Sequence, residues 1–168
     1  ARVVGLNAQW LTSRADCDAF QALHCRDAGR VTRPQRTWDI MYEWIGSGHA
    51  QLLHAYAMDG PTGYPVALAG ASLWITYEHG VYYASSAREP VLKRVYNIGH
   101  FMVWTAMQHF AEQGYEWIDL GHGHIGGTPD EKNREKQAAI IVFKKGWVRR
   151  ATLRGGDILV GSTPTPSA

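Results

Sequence analysis

The chain is poor in cysteine: Cys17 and Cys25 are its only two among 168 residues. Both fall in one helical segment, which separates them by about 12 Å along the axis, beyond disulfide reach. They read as reduced thiols, which excludes a disulfide scaffold and points to a reducing, cytoplasmic setting. Tandem-cysteine zinc spacing and a P-loop are missing. So is the G-x-S-x-G elbow of a Ser-His-Asp hydrolase. No stretch approaches the roughly 20 apolar residues of a membrane helix, so no membrane span is expected. Ala1–Gln9 carries an Arg and no long apolar run, which is not a signal peptide. There is no initiating Met, and the chain reads as a processed or excised piece of something longer. Net charge is only +2, too small to argue for nucleic acid by itself. Internal repeats and low-complexity core are absent.

What is present fits one domain of ordinary size. Apolar residues make up 45%, enough for a proper core. We assign 1–160 to a single domain and 161–168, rich in Pro, Ser and Thr, to a frayed tail. Charge is unevenly spread. Lys132, Arg134, Lys136, Lys144, Lys145, Arg149, Arg150 and Arg154 crowd one stretch that only Glu135 opposes. That stretch suits either a phosphate-bearing partner or a solvated basic face.

Periodicity orders the elements. A strand over 2–6 is followed by a helix over 16–28 with Cys17, Phe20 and Leu23 on its apolar side, stopped by Gly29. Pro34 opens a second helix, in which Trp38, Met41, Tyr42 and Ile45 follow the helical rule and which ends at Gly46. Strands over 51–58, 66–76 and 81–85 form an antiparallel meander. The small residues Ala67, Ala69, Gly70 and Ala71 imply close packing against a neighbour. A firm helix spans 98–113, with Gly114 at its end, and a strand spans 115–120. Strand, helix, strand in that order suggests a crossover and a locally parallel pair. Gly121 to Gly127 reads as a flexible loop, 131–145 as a helix, and 147–153 with 157–160 as a hairpin turning at Gly155-Gly156. The fold class is α/β (α+β): a mixed, mostly antiparallel central sheet flanked by helices.

This order resembles the GNAT fold. The segments Gly114-Tyr-Glu-Trp-Ile-Asp-Leu-Gly121 and Ile141-Val-Phe-Lys-Lys-Gly-Trp147 are similar to motifs of Fem-type peptidoglycan-bridge aminoacyltransferases and their single-domain, BioF2-like relatives. The strand Tyr82-Tyr83-Ala-Ser-Ser-Ala87, followed by a helix containing Trp104, also fits. The resemblance implies an N-acyltransferase with no bound prosthetic group. Its donor would be aminoacyl-tRNA or acyl-CoA, and its acceptor a small-molecule or peptide amine, which makes tRNA a candidate partner. Fem-type enzymes carry two such domains in tandem, whereas this chain has room for one. A second GNAT-like domain or a homodimer would complete it. The rival reading is a non-catalytic binding module, one half of a separated tandem protein.

Acyl transfer to an amine needs the donor held, the amine deprotonated and the oxyanion stabilised. In GNAT enzymes the turn before the central helix carries (Q/R)-x-x-G-x-(G/A), whose N–H groups cradle the coenzyme A pyrophosphate. Arg94-Val-Tyr-Asn-Ile-Gly99 matches at Arg94 and Gly99. Asn97 replaces the middle glycine and, tolerating positive φ, keeps a tight turn open. Lys93 and Arg94 also fit a plain exposed charged pair. By the Fem-type resemblance Lys144 lies near the transfer centre, to stabilise the oxyanion or to anchor a tRNA or substrate phosphate, and Lys145 beside it is a substrate-binding candidate. Both also suit a helix C-terminus. His122 and His124 follow the end of a strand, where ligands of α/β sheets tend to bind, and either could take the amine proton. Asp119 is a substrate-side candidate or a structural acceptor of backbone N–H groups. Tyr83 and Trp74, with Tyr82 and Trp104, line an acceptor groove or belong to the core. No carboxylate or cysteine cluster completes a metal site with the two histidines.

Overall fold

The computed structural model describes the backbone of residues 3–60, 62–124, 142, 150–154 and 157–162, and the side chains of 5–60, 62–121 and 142. The elements run β1 (Val3–Leu11), α1 (Arg14–Ala28), α2 (Gln35–Gly46), β2 (Ala50–Asp59), β3 (Pro65–Tyr77) and β4 (Gly80–Arg88). A 3-10 turn (Leu92–Arg94), α3 (Ile98–Glu112), β5 (Trp117–His124), β6 (Arg150–Arg154) and β7 (Asp157–Ser162) follow. This is the expected mixed α/β class. The strands form one sheet in the order β1-β2-β3-β4-β5-β7-β6. Every neighbouring pair is antiparallel except β4 and β5. A parallel pair needs a crossover, and α3 supplies it.

Local chemistry sets the helix ends. Ser13 and Asp16 form a capping box, each side chain accepting the other's backbone N–H, so α1 starts two residues before the expected Asp16. Gly29, in the left-handed region at φ 67°, closes it. Pro34 caps α2 with its fixed φ of −58°.

Strand alternation divides the core between the two faces. Leu52, Ala71, Leu73 and Ala87 meet Cys17, Phe20, Leu23, Trp38 and Ile45 of α1 and α2. On the other face Leu53, Ala55, Ala57, Trp74 and Val81 meet Ile98, Met102, Val103, Ala106 and Phe110 of α3. Burying each of the larger side chains contributes about 1.5–3 kcal/mol. The small residues of β3 have their neighbour: a Cβ on Gly70 would come within 2.5 Å of the Ile98 side chain and 3.0 Å of Met102 Sδ. The β2–β3 register skips Ala69, a bulge that leaves both Ala69 and Gly70 toward α3. Ala71 faces α1 and α2 instead, and Ala67 is exposed.

Several strand expectations change, β4 among them, which runs to Arg88 rather than 85. β1 runs on to Leu11 rather than ending at Leu6, because Trp10 pairs with Leu53 and packs on His109 and Phe110. β5 runs through the expected loop as far as His124, held there by β7. β7 takes in Gly161 and Ser162, the first part of the expected tail, because they pair with Asp119 and Ile118. The expected helix over 131–145 and the turn at Gly155-Gly156 lie outside the described residues. Among the described residues, no helix is long and apolar enough to cross a membrane.

Candidate active site

The parallel ladder between β4 and β5 is short. It joins Gly80 to Trp117, Val81 to Ile118 and Tyr82 to Asp119, and then stops. Yet β4 continues to Arg88 beside β3, and β5 to His124 beside β7. The two strands part at their C-terminal ends, where α/β sheets receive ligands.

Two backbone irregularities coincide with the parting. In β4, Ser85 pairs with Leu73 and Tyr83 with Trp74, which leaves Ala84 as the extra residue of a bulge. Bulges bend a strand and raise its twist. In β5, the register against β7 shifts between Asp119 and His122. Gly121 sits there at φ 77°, a conformation that costs glycine nothing sterically. Asp119 Oδ1 accepts the Gly121 N–H at 2.6 Å and pins the kink. Asp119 is thus engaged with backbone.

The turn from β4 to α3 forms one wall. Asp27 of α1 fixes it, Oδ2 accepting the Arg88 N–H at 3.0 Å and Oδ1 accepting from Lys93 Nζ at 2.8 Å. Burial pushes the Asp27 carboxyl up, but Lys93 and the Arg88 amide outweigh it and hold it below its ordinary value. Arg26 adds a 3.2 Å pair with Glu89. Lys93 is therefore committed. Arg94 is exposed and forms no ion pair among the described residues. Asn97 is the N-cap of α3 at φ −77°, so it does not use the positive φ expected of it, and its side chain makes no capping bond. Gly99, in the first turn, is buried. An uncapped helix start beside a free arginine favours an anion.

Register places Tyr83, Ser86 and Arg88 on the α3 face of β4, opposite Trp74, Ser72 and Gly70. Trp74 is sealed at 0% exposure, its Nε1–H donating to Ser72 Oγ at 2.9 Å, so it does not line a groove. Tyr83 packs against it with the rings tilted by 37° and their centroids 4.6 Å apart. Burial pushes the Tyr83 phenol up, against a smaller opposing effect of its hydrogen bond to Ser86. Trp104 lies exposed on α3. His122 and His124 are backbone partners of Leu159 and Asp157. Their side chains, and Lys144 and Lys145 entirely, lie outside the described residues. No cluster of potential metal ligands occurs among the described residues.

Sequence reasoning missed the Ala84 bulge and the Asp27 anchor. Asp27 is an ordinary last-turn residue of α1, and its partners lie 61 and 66 positions away.

A model of the acetyltransferase (GNAT) domain matches residues 3–133. The chain belongs to the GNAT acetyltransferase family. It is accordingly an acyltransferase of the N-acetyltransferase kind. Solved GNAT structures share its fold. The PaiA N-acetyltransferase of Thermoplasma acidophilum, in complex with coenzyme A, aligns over 96% of this chain and 100% of its own, with a TM-score of 0.63 and 12% identity. The ribosomal-protein-S18-alanine N-acetyltransferase of Escherichia coli aligns over 98% and 97%, with a TM-score of 0.65 and 11% identity. A Bacillus subtilis acetyltransferase in complex with coenzyme A aligns over 96% and 100%, with a TM-score of 0.54 and 14% identity. At such identities the likeness concerns the fold alone. No curated protein matches the chain in sequence.

Proposed function

We propose that this GNAT protein transfers an acyl group from acyl-CoA to an amine by direct attack, with no covalent enzyme intermediate. The supporting observation is the parting of β4 and β5 beside the uncapped start of α3. A strand edge and a helix N-terminus at one place suit a donor with an amide-bearing arm and a pyrophosphate. Arg94, Asn97 and Gly99 border the phosphates. The amine forms a C–N bond to the acyl carbon while the C–S bond breaks, and the thiolate leaves and takes up a proton. His122 or His124 removes the amine proton, and Lys144 stabilises the oxyanion. Lys145, Tyr83 and Asp119 serve acceptor binding in this reading, Asp119 by holding the β5 kink.

Aminoacyl-tRNA is the second donor to consider, as in the Fem-type branch. The basic run from Lys132 to Arg154 and the segments around Gly114 and Lys144 favour it. Thiol release from acetyl-CoA, scored over a panel of amines, tests the proposal against loss of the aminoacyl ester from charged tRNA. Turnover of acetyl-CoA that falls at least 100-fold in Lys144→Ala and in the doubly substituted His122→Ala/His124→Ala protein is expected. Unchanged rates in both folded variants would overturn the assigned roles.

A further inference from the structure

The α1–α2 corner holds a half-buried arginine that has no acid beside it among the described residues. Arg14 pairs with Asp18 and Asp39, Arg26 with Glu89, and Arg36 with Glu43. Arg33 is half-buried and has no carboxylate partner among the described residues. Burial acts on it alone and lowers its pKa, with no counter-charge to raise it again. Its guanidinium carbon lies 5.2 Å from the centroid of the Trp38 ring. Its NH1 donates to His24 Nε2 at 3.0 Å, a bond an arginine can only donate, so that nitrogen carries no proton. The other guanidinium N–H groups find no acceptor among the described residues.

Two further donors in the same short segment lack acceptors. Trp38 is 3% exposed, and its buried Nε1–H has no partner among the described residues. Thr32 Oγ1, next to Arg33 in sequence, is also buried without one. A buried donor without an acceptor is destabilising until something supplies one. A corner that collects donors around a half-buried arginine, with no carboxylate against them among the described residues, suits an anion.

Its position gives the anion a purpose. His24 lies one turn from Asp27 on α1, about 4.5 Å along the axis, and Asp27 holds the Arg88 amide at the end of β4. Trp38 shares its apolar cluster with Ala87 of the same strand end. The corner therefore adjoins the end of β4, where the donor cleft opens.

We propose that Arg33, set over the Trp38 ring and held by His24, is a carboxylate-binding subsite, so that the acceptor is an amine that also carries an acid group. The assignment to an acceptor rests on the acyltransferase reading above, whereas the binding itself does not. The Trp38 ring lies to one side of the guanidinium and His24 takes NH1, which leaves the remaining N–H groups for a planar carboxylate. A single half-buried cation balances one negative charge better than the two of a phosphate dianion.

The test is titration of the full chain, followed by the indole N–H signal of Trp38 in 15N-correlated NMR and assigned with Trp38→Phe. The probes are succinate, β-alanine, β-alaninamide and inorganic phosphate. Succinate and β-alanine are expected to give saturable shifts, β-alaninamide none, and phosphate weaker binding. Arg33→Gln should weaken succinate at least tenfold and Arg33→Lys less, with Thr32→Val as a milder variant should Arg33→Gln fail to fold. No saturable shift, equal binding of the amide, tighter binding of phosphate, or indifference to Arg33→Gln and Thr32→Val would each overturn the subsite. None of these titrations needs an acyl donor. Failure to bind coenzyme A with the succinate shift intact would sink the donor reading and leave the subsite standing.

Discussion

Asp27 Oδ1 lies 2.8 Å from Lys93 Nζ and so ties the end of α1 to the turn that leads into α3. Its other oxygen takes the Arg88 N–H, so one carboxylate holds the end of β4 and the 3-10 turn that follows it. We expect Asp27→Asn to lower stability by about 1–2 kcal/mol at neutral pH. The folded carboxyl titrates below its ordinary 3.8. Its contribution is therefore complete above about pH 4 and is lost as pH falls through the folded value. Urea unfolding of both proteins across pH 2–7 checks this, with the gap expected to close at the acid end. A gap that persists there would show that the charge is not what holds the turn.

Gly80 lies flat against the Trp117 ring, and a Cβ there would fall far inside van der Waals contact with Cζ2. The same two residues open the parallel ladder. Gly80→Ala should cost about 1–3 kcal/mol by overpacking. It should also loosen the start of β5, visible as faster amide exchange at Trp117 and Ile118.

The two cysteines differ although they share a helix. Burial pushes the Cys17 thiol up to about 11, while Cys25 is only half-buried. At pH 8 a thiol-specific disulfide reagent should modify Cys25 first and Cys17 only on unfolding. Rapid native modification of Cys17 would contradict the packing of α1 on β3.

His54, 1% exposed, is kept neutral: burial lowers its pKa below 6.5 against a weaker opposing pull from Asp16. Burial also lowers that of His109, which stacks on Trp10 with ring centroids 4.1 Å apart. A histidine whose folded pKa is depressed binds protons more readily when unfolded. Stability should therefore fall as pH drops below about 6.5 and level off below the folded values. Melting temperature across pH 4–8, with the His54 ring signals followed by NMR, measures it. A ring titrating above 6.5 would refute the burial.

Much of the fold was legible in the sequence because it rests on short-range signals. Gly29 and Pro34 mark helix ends by backbone geometry alone, and Trp38 and Ile45 show the buried face of α2 by spacing. The crossover through α3 followed from element order. Long-range effects stayed hidden. Gly-rich composition made 121–124 look like a loop, yet pairing with β7 makes it strand. Trp74 carries the same letter whether it lines a groove or fills a core, and only its bond to Ser72 and contact with Phe110 decide. The Arg33 corner is assembled from α1, a loop and α2, and no spacing rule encodes it.

The central claim is that the parting of β4 and β5, with Arg94 and the start of α3 beside it, receives acyl-CoA. Calorimetric titration of the folded chain with acetyl-CoA at low salt tests it most directly. The account predicts a one-site isotherm that Arg94→Gln weakens about fivefold, the loss of roughly 1 kcal/mol of phosphate attraction. No heat from acetyl-CoA or from free coenzyme A, with the protein shown to be folded, would contradict it.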